Sequence, residues 1–330
     1  MKKNYKLLAT LVLSGLAGAA FGVLPAQAAV TVGSSDGTEK SLTGTEFTSL
    51  YGNMYTDSTS GNTVSISGEG TVTLTGETVS AGGSSYTAST LAGAYTLESG
   101  DASNNKLSVT DGASVSFSNA TGNGIAGGIS MKGAASGNQV TFSGASLNMS
   151  DTTSSLEIAG GVSGASAADN NAVTLTDLTS STEKLSITGG MSQPAEADDS
   201  DDFSAYTVSN NHVTISSSVE ASYADITGGY ALGNANGNVV SVTSTAKTTD
   251  DVLTVSGYIF GANSESGSAE NNEVTLTGNG IVRTAGDPTN TLPSINVEGT
   301  IYGGNAAYGN ASANTVSLTQ VFASKDIYGG

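Results

Sequence analysis

The sequence predicts an all-β protein, a solenoid built by stacking copies of one short repeat, and three observations carry that prediction. A five-residue phrase, Asn-x-(Val/Leu)-(Ser/Thr)-apolar, recurs eight times. Each copy alternates apolar and hydroxyl-bearing residues with the period of two expected of a half-buried strand. The 330-residue chain is 37% hydrophobic, with 44 Gly, 4 Pro and neither Cys nor Trp. That is sparing for a conventional globular core, yet too rich in Val, Ile and Leu for a disordered chain. Stacked repeats reconcile the two, because short strands that cannot bury an apolar face alone make a continuous narrow core when layered.

From the N-terminus, Lys2, Lys3 and Lys6 precede an apolar run from Leu7 to Val23 broken only by small residues and Ser14, and Pro25-Ala26-Gln27-Ala28 ends in an A-x-A site. Residues 1–28 therefore read as a cleaved secretory signal. A membrane anchor would need about 20 unbroken apolar residues, and no later stretch reaches that length without charges or glycines. Removing the three lysines takes the formal charge from −19 to −22. Residues 29–60 lack the phrase; Glu46-Phe47 and Leu50-Tyr51 are expected to form a short helix or irregular cap over the open edge of the first repeat.

Residues 61–330 hold the repeats. The phrases start at Asn62, Asn105, Asn138, Asn171, Asn211, Asn238, Asn272 and Asn314, at a mean period of 36 residues. A second phrase, Ile-x-Gly-(Gly/Ala), lies between them at Ile158, Ile187, Ile226, Ile259, Ile301 and Ile327. It precedes the next Asn by 9 or 10 residues, counted from its last residue, except once, where the interval is 21 and contains the acidic insert Pro194 to Asp202. Asn or Gly before each strand fits corners with left-handed backbone, and a column of Asn at successive corners can exchange side-chain hydrogen bonds. The period alone leaves open one wide coil or two narrow ones per repeat.

The NNxVTL-type strands, the phrases Ile301-Tyr-Gly-Gly-Asn-Ala306 and Ile226-Thr-Gly-Gly-Tyr-Ala231, and the signal peptide together resemble the passenger region of Gram-negative autotransporter adhesins over residues 62–330. The resemblance implies a single-stranded parallel β-helix, right-handed, exported through the inner membrane to the cell surface or outer membrane, or released. There it would act in adhesion, aggregation or biofilm formation, on host-surface, matrix or sister-cell molecules, carbohydrate included. Such proteins carry a C-terminal translocator barrel, and none is visible before Gly330, so a truncated passenger is expected.

Other chemistry is sparse. Clustered basic residues for a phosphate backbone are missing, which argues against nucleic acid, and without Cys there is no disulfide framework or thiolate metal site. The single histidine, His212, occupies the variable slot of a phrase, and no nucleophile elbow accompanies it. One Arg (Arg283) and six Lys remain after the signal, a poor set for an acidic-sugar lyase. The acidic insert, Glu196, Asp198, Asp199, Asp201 and Asp202, is a weak Ca²⁺ candidate that lacks EF-hand spacing; a solvated loop is the expected reading. Gly122 to Gly128 read as turns. Tyr230, Tyr258, Phe260, Tyr302 and Tyr328 lie in or beside the Gly-Gly phrase, where stacking between neighbouring repeats is favoured over a carbohydrate-binding stripe. The leading expectation is a non-enzymatic adhesin with no cofactor. A self-assembling surface-layer or amyloid-like subunit is second, and a β-helix polysaccharide-degrading enzyme third.

Overall fold

Eight phrases of one pattern give eight strands of one pattern, and these organise everything else. The structure, a computed structural model, describes residues 29–33, 39–42, 45–55, 58–81, 84–97, 100–118, 122–150, 155–182, 184–193, 203–282 and 291–330. The signal span 1–28, Arg283 and the acidic insert with Asp198, Asp199, Asp201 and Asp202 lie outside the described residues. Within them the chain is all-β, with two single-turn 3₁₀ segments, Phe203–Ala205 and Thr249–Asp251.

The phrase strands, Thr63–Ser67, Lys106–Thr110, Gln139–Ser143, Ala172–Thr176, His212–Ser217, Val239–Ser244, Glu273–Thr277 and Thr315–Thr319, lie side by side in a ten-stranded sheet, here the asparagine sheet. They pair in parallel and in register, Val140 with Val173 and Val173 with Val213. The Ile-x-Gly-Gly strands form a second, 14-stranded sheet, the glycine sheet, again with Ile158 opposite Ile187 and Ile187 opposite Ile226. Shorter parallel sheets lie between these two in chain order, such as Ala113–Phe117 beside Ser146–Met149 on one side and Ala102–Ser103 beside Ala135–Ser136 on the other. The chain thus returns to each sheet once per repeat. The eight phrase strands then span roughly 35 Å at the usual strand spacing.

Inward positions feed one continuous apolar core in which Val64, Ile66, Val173, Leu175, Ile158 and Ile187 are at most 1% exposed. The register explains its economy: each repeat adds a few apolar side chains, and each lands on its counterpart. A separate, smaller core of Ala168, Val208, Ala231, Ala235, Ala262 and Ala269 lies under the short corner strands.

The first edge differs from the rest. Ala29–Gly33 pairs antiparallel with both Thr63–Ser67 and Glu39–Leu42, laying a hairpin on the asparagine sheet. Where a short helix or irregular cap was expected, Glu46–Phe47 and Leu50–Tyr51 are strands that pair in parallel with Gly70–Leu74 and Ser84–Ala92. Two-residue strands carry too little periodicity to show in a sequence. Leu50 fills the inward column in register with Leu91, and that burial sets their conformation.

Between the two cores runs a ladder of asparagines. Asn62, Asn105, Asn138, Asn171, Asn211, Asn238 and Asn272 are at most 1% exposed. The Nδ2 of each donates to the Oδ1 of the next, at 2.8 Å for Asn62 to Asn105 and 3.1 Å for Asn138 to Asn171, and the backbone N–H donates to the same oxygen. A further Nδ2 bond reaches a corner-strand carbonyl, Ala135 O from Asn171 at 2.8 Å. The left-handed backbone sits one residue earlier, at Gly61, Asn104, Gly137, Asn170, Asn210, Gly237, Asn271 and Ala313, with φ between 54° and 69°. The corner thus divides its tasks: one residue turns the chain, and the next projects its amide inward.

Candidate functional site: an open groove along the glycine sheet

The ladder decides the shape of the opposite wall. In Leu156–Ser163 the alternation of buried and accessible side chains slips at the glycine pair. Gly160 and Gly161 both face Asn171: a Cβ on Gly160 would lie 2.9 Å from Asn171 Cβ and 2.2 Å from Gly189 O, and one on Gly161 would lie 2.4 Å from Asn171 Oδ1. Only glycine lets the backbone approach so closely. Gly122 to Gly128, read from sequence as turns, belong for this reason to the strand Gly122–Ser130; Gly127 and Gly128 face Asn138 as Gly160 and Gly161 face Asn171.

Beside the glycine sheet an open groove spans three of its strands, Leu156–Ser163, Leu185–Ser192 and Ile226–Ala231. Its floor is Thr188 and Thr227, at the x position of the Ile-x-Gly-Gly phrase, in register with the buried Ala92, Ala126 and Ala159 of earlier strands. One wall is Met191 and Tyr230, the last members of an apolar column in register with Tyr95, Ile129 and Val162. The other is polar and includes Glu157, Ser186 and Asp225. Around these residues lies an open cavity of about 310 Å³ whose lining, among the described residues, contains two carboxyl groups and no Lys, Arg or His.

Its polar groups are held in place. Thr188 Oγ1 donates to Glu157 Oε1 at 3.0 Å. Burial lifts the Glu157 carboxyl above the ordinary glutamate value, and the Thr188 bond opposes that shift. Asp225 Oδ1 accepts the Tyr258 backbone N–H at 2.7 Å. The Tyr230 hydroxyl donates to Glu265; burial and that carboxylate both raise the phenol above its ordinary value.

Beyond Thr227 the floor column is filled. Phe260, Tyr302 and Tyr328 follow in register and stack, with centroids 5.0 and 5.1 Å apart and planes within 14°. Tyr258 adds a further ring 5.6 Å from Phe260. Because the ring faces within the stack are turned toward one another, it shows mainly edges to solvent, which suits structural stacking better than a sugar-binding platform. Tyr230 is the exception among the five expected aromatics: it stands in the wall column and bonds Glu265.

His212 lies, exposed, at the first position of its strand. Among the described residues no three His, Cys, Asp or Glu side chains are grouped to hold a metal ion, and no helix is long and apolar enough to cross a membrane. Sequence reasoning missed the groove residues Glu157, Thr188, Met191, Asp225 and Thr227. The available signal was the size progression at the x position, from Ala159 through Thr188 and Thr227 to Phe260, once the phrases are aligned. Comparison with known proteins finds no matching family model, no similar curated protein and no similar solved structure.

Proposed function

We propose that the chain is a surface-displayed, non-enzymatic rod of the autotransporter-passenger kind, wound as a right-handed single-stranded parallel β-helix and acting in adhesion, aggregation or biofilm formation. The observation that carries this reading is the in-register repetition of outward surfaces. On the asparagine sheet, Ser65, Ser108, Thr141, Thr174, Thr214, Ser241, Thr275 and Ser317 form one column of hydroxyls across eight strands. A surface that repeats the same group at each step is suited to many weak contacts made together, whose combined strength exceeds any one of them. The once-per-repeat return to each sheet supports the helical winding, and the A-x-A site supports export with Ala29 as the mature N-terminus.

The function is tested by displaying the chain on a non-adherent Gram-negative cell through a heterologous translocator, then measuring sedimentation and attachment to matrix-coated and abiotic surfaces. Attachment and clumping above the empty-display control are expected. Cells that display the folded chain yet behave as the control would sink the reading, and fibre growth by the purified protein would favour a self-assembling subunit. The winding is tested separately by paired cysteines. Ser108→Cys with Thr141→Cys, in register on adjacent strands, is within disulfide reach, whereas Ser108→Cys with Thr174→Cys, two strands apart, is not.

A further inference from the structure

The groove at the glycine sheet names a class of partner, resting on the binding role proposed above. We propose that the segment between Glu157 and Tyr230 seats the cationic side chain of an extended basic peptide: a lysine or arginine whose charged end meets the carboxylates of Glu157 and Asp225 while its methylene stem lies against Met191 and Tyr230.

The two walls carry the argument. Lys and Arg are amphipathic along their length, an apolar stem ending in a charge, and the groove is amphipathic across its width, with carboxylates on one side and a thioether and a phenol ring on the other. The cavity of about 310 Å³ is large enough for such a side chain and too open to enclose a whole ligand. Its acceptors are preorganised, since Thr188 holds Glu157 and the Tyr258 N–H holds Asp225. The Tyr230 ring lines the cavity and is tethered through its hydroxyl to Glu265, which adds an aromatic partner for a cation. Among the described residues no cation lines the cavity; Lys184, two residues before Ser186, is exposed outside it. A chain of net charge −19 draws cations toward itself and repels acidic glycans.

The test is fluorescence anisotropy with the full chain and a labelled peptide of alternating Lys and Ser, against a Glu/Ser peptide, a neutral β-glucan oligosaccharide and a glucosamine oligosaccharide. Three variants are compared, each checked for native circular dichroism. Glu157→Gln with Asp225→Asn keeps both hydrogen bonds and removes both charges; Asp250→Asn with Asp251→Asn removes two exposed charges elsewhere; Thr227→Phe fills the floor as Phe260 does one strand on. The Lys/Ser peptide is expected to bind the parent chain, to weaken at least about tenfold in the groove double variant, a change of about 1.4 kcal/mol, to change less than about twofold in the distant one, and to be lost in Thr227→Phe. Equal weakening by the two double variants, unchanged binding by Thr227→Phe, no binding by the parent chain, or tighter binding of either oligosaccharide overturns the proposal. Displayed cells that attach equally well with Glu157→Gln and Asp225→Asn sink the groove assignment and leave the adhesin reading standing. Failure of the parent chain to mediate attachment sinks that reading, while the peptide titration still decides the groove.

Discussion

Two columns run side by side through the same repeats and behave oppositely. The ladder position is Asn in all eight phrases, whereas the groove floor, a few ångströms away on the other side of the Gly-Gly pair, passes from Ala through Thr to Phe and Tyr. The ladder side chain is enclosed, must satisfy its amide within the fold, and can do so only by donating to and accepting from the same group one repeat away. The floor position carries no amide chain from repeat to repeat and needs only to fit a strand, so its size is free to vary. Uniformity marks what the geometry dictates; variation marks the surface on which something else acts.

Breaking the uniform column should have the largest effect. In Asn171→Leu, Asn138 loses the acceptor for its backbone N–H and its Nδ2, at 2.9 and 3.1 Å, and Ala135 O loses its 2.8 Å donor. Buried polar groups left without partners cost about 1–3 kcal/mol each, so a loss of roughly 3–5 kcal/mol is expected. Urea unfolding followed by circular dichroism should show it, with the transition splitting in two because repeats contact only their neighbours. A loss below about 1 kcal/mol would mean the ladder is incidental. Next in size is Gly189→Ala, whose Cβ would lie 2.2 Å from Gly228 O; overpacking of this kind costs about 1–3 kcal/mol. The same change at Gly144, where φ is 56° but no atom lies within 4 Å, should cost less, because only the backbone objects.

The variable column predicts the opposite sign. Thr227→Phe places a ring in register between Thr188 and the Phe260 stack, and should stabilise the fold by about 0.5–1.5 kcal/mol while closing the groove. A destabilised variant would show that the floor has no room for the ring. Comparable in size is Ala313→Gly. Seven of the eight corners turn on Gly or Asn, and Ala313 alone holds φ 54° with a Cβ and no amide. Relief of that backbone should contribute roughly 1 kcal/mol, whereas Asn170→Gly, where the amide side chain already suits the conformation, should change stability little.

How much of this was legible follows from the same contrast. The eight phrases gave the strands, the inward columns and the possibility of an asparagine ladder, because a buried position repeated without exception leaves a regular trace. The turning residue was harder to place: Asn104 and Asn105 are the same residue with different tasks, and only the hydrogen bonds separate them. Glycines 127 and 128 were taken for turns because close approach of a strand to a side chain from a distant repeat leaves no local mark. The strands at Glu46–Phe47 and Leu50–Tyr51 are too short to show a period, and the aligned phrase at Leu50 and Leu91 has Leu where the others have Ile. The groove stayed hidden because its walls come from alternate residues of separate repeats, and only sheet register brings Glu157 and Asp225 to one wall.

The smallest expected effect separates the groove from the rest of the acidic surface. Burial lifts the Glu157 carboxyl, so the folded chain holds that proton to higher pH than the unfolded chain does. Ionisation therefore weakens the fold as pH rises from the ordinary glutamate value through the raised one, and above that window the carboxylate is a standing penalty. Glu157→Gln, which can still accept the Thr188 hydroxyl, should melt slightly above the parent chain at about pH 7 and together with it at about pH 3. A basic peptide in the groove requires the ionised form, so its affinity should climb over the same window in which the free protein loses stability. If the thermal difference between Glu157→Gln and the parent chain instead widened on acidification, the carboxylate would be stabilised by a partner within the fold, and its charge would not be available to a ligand.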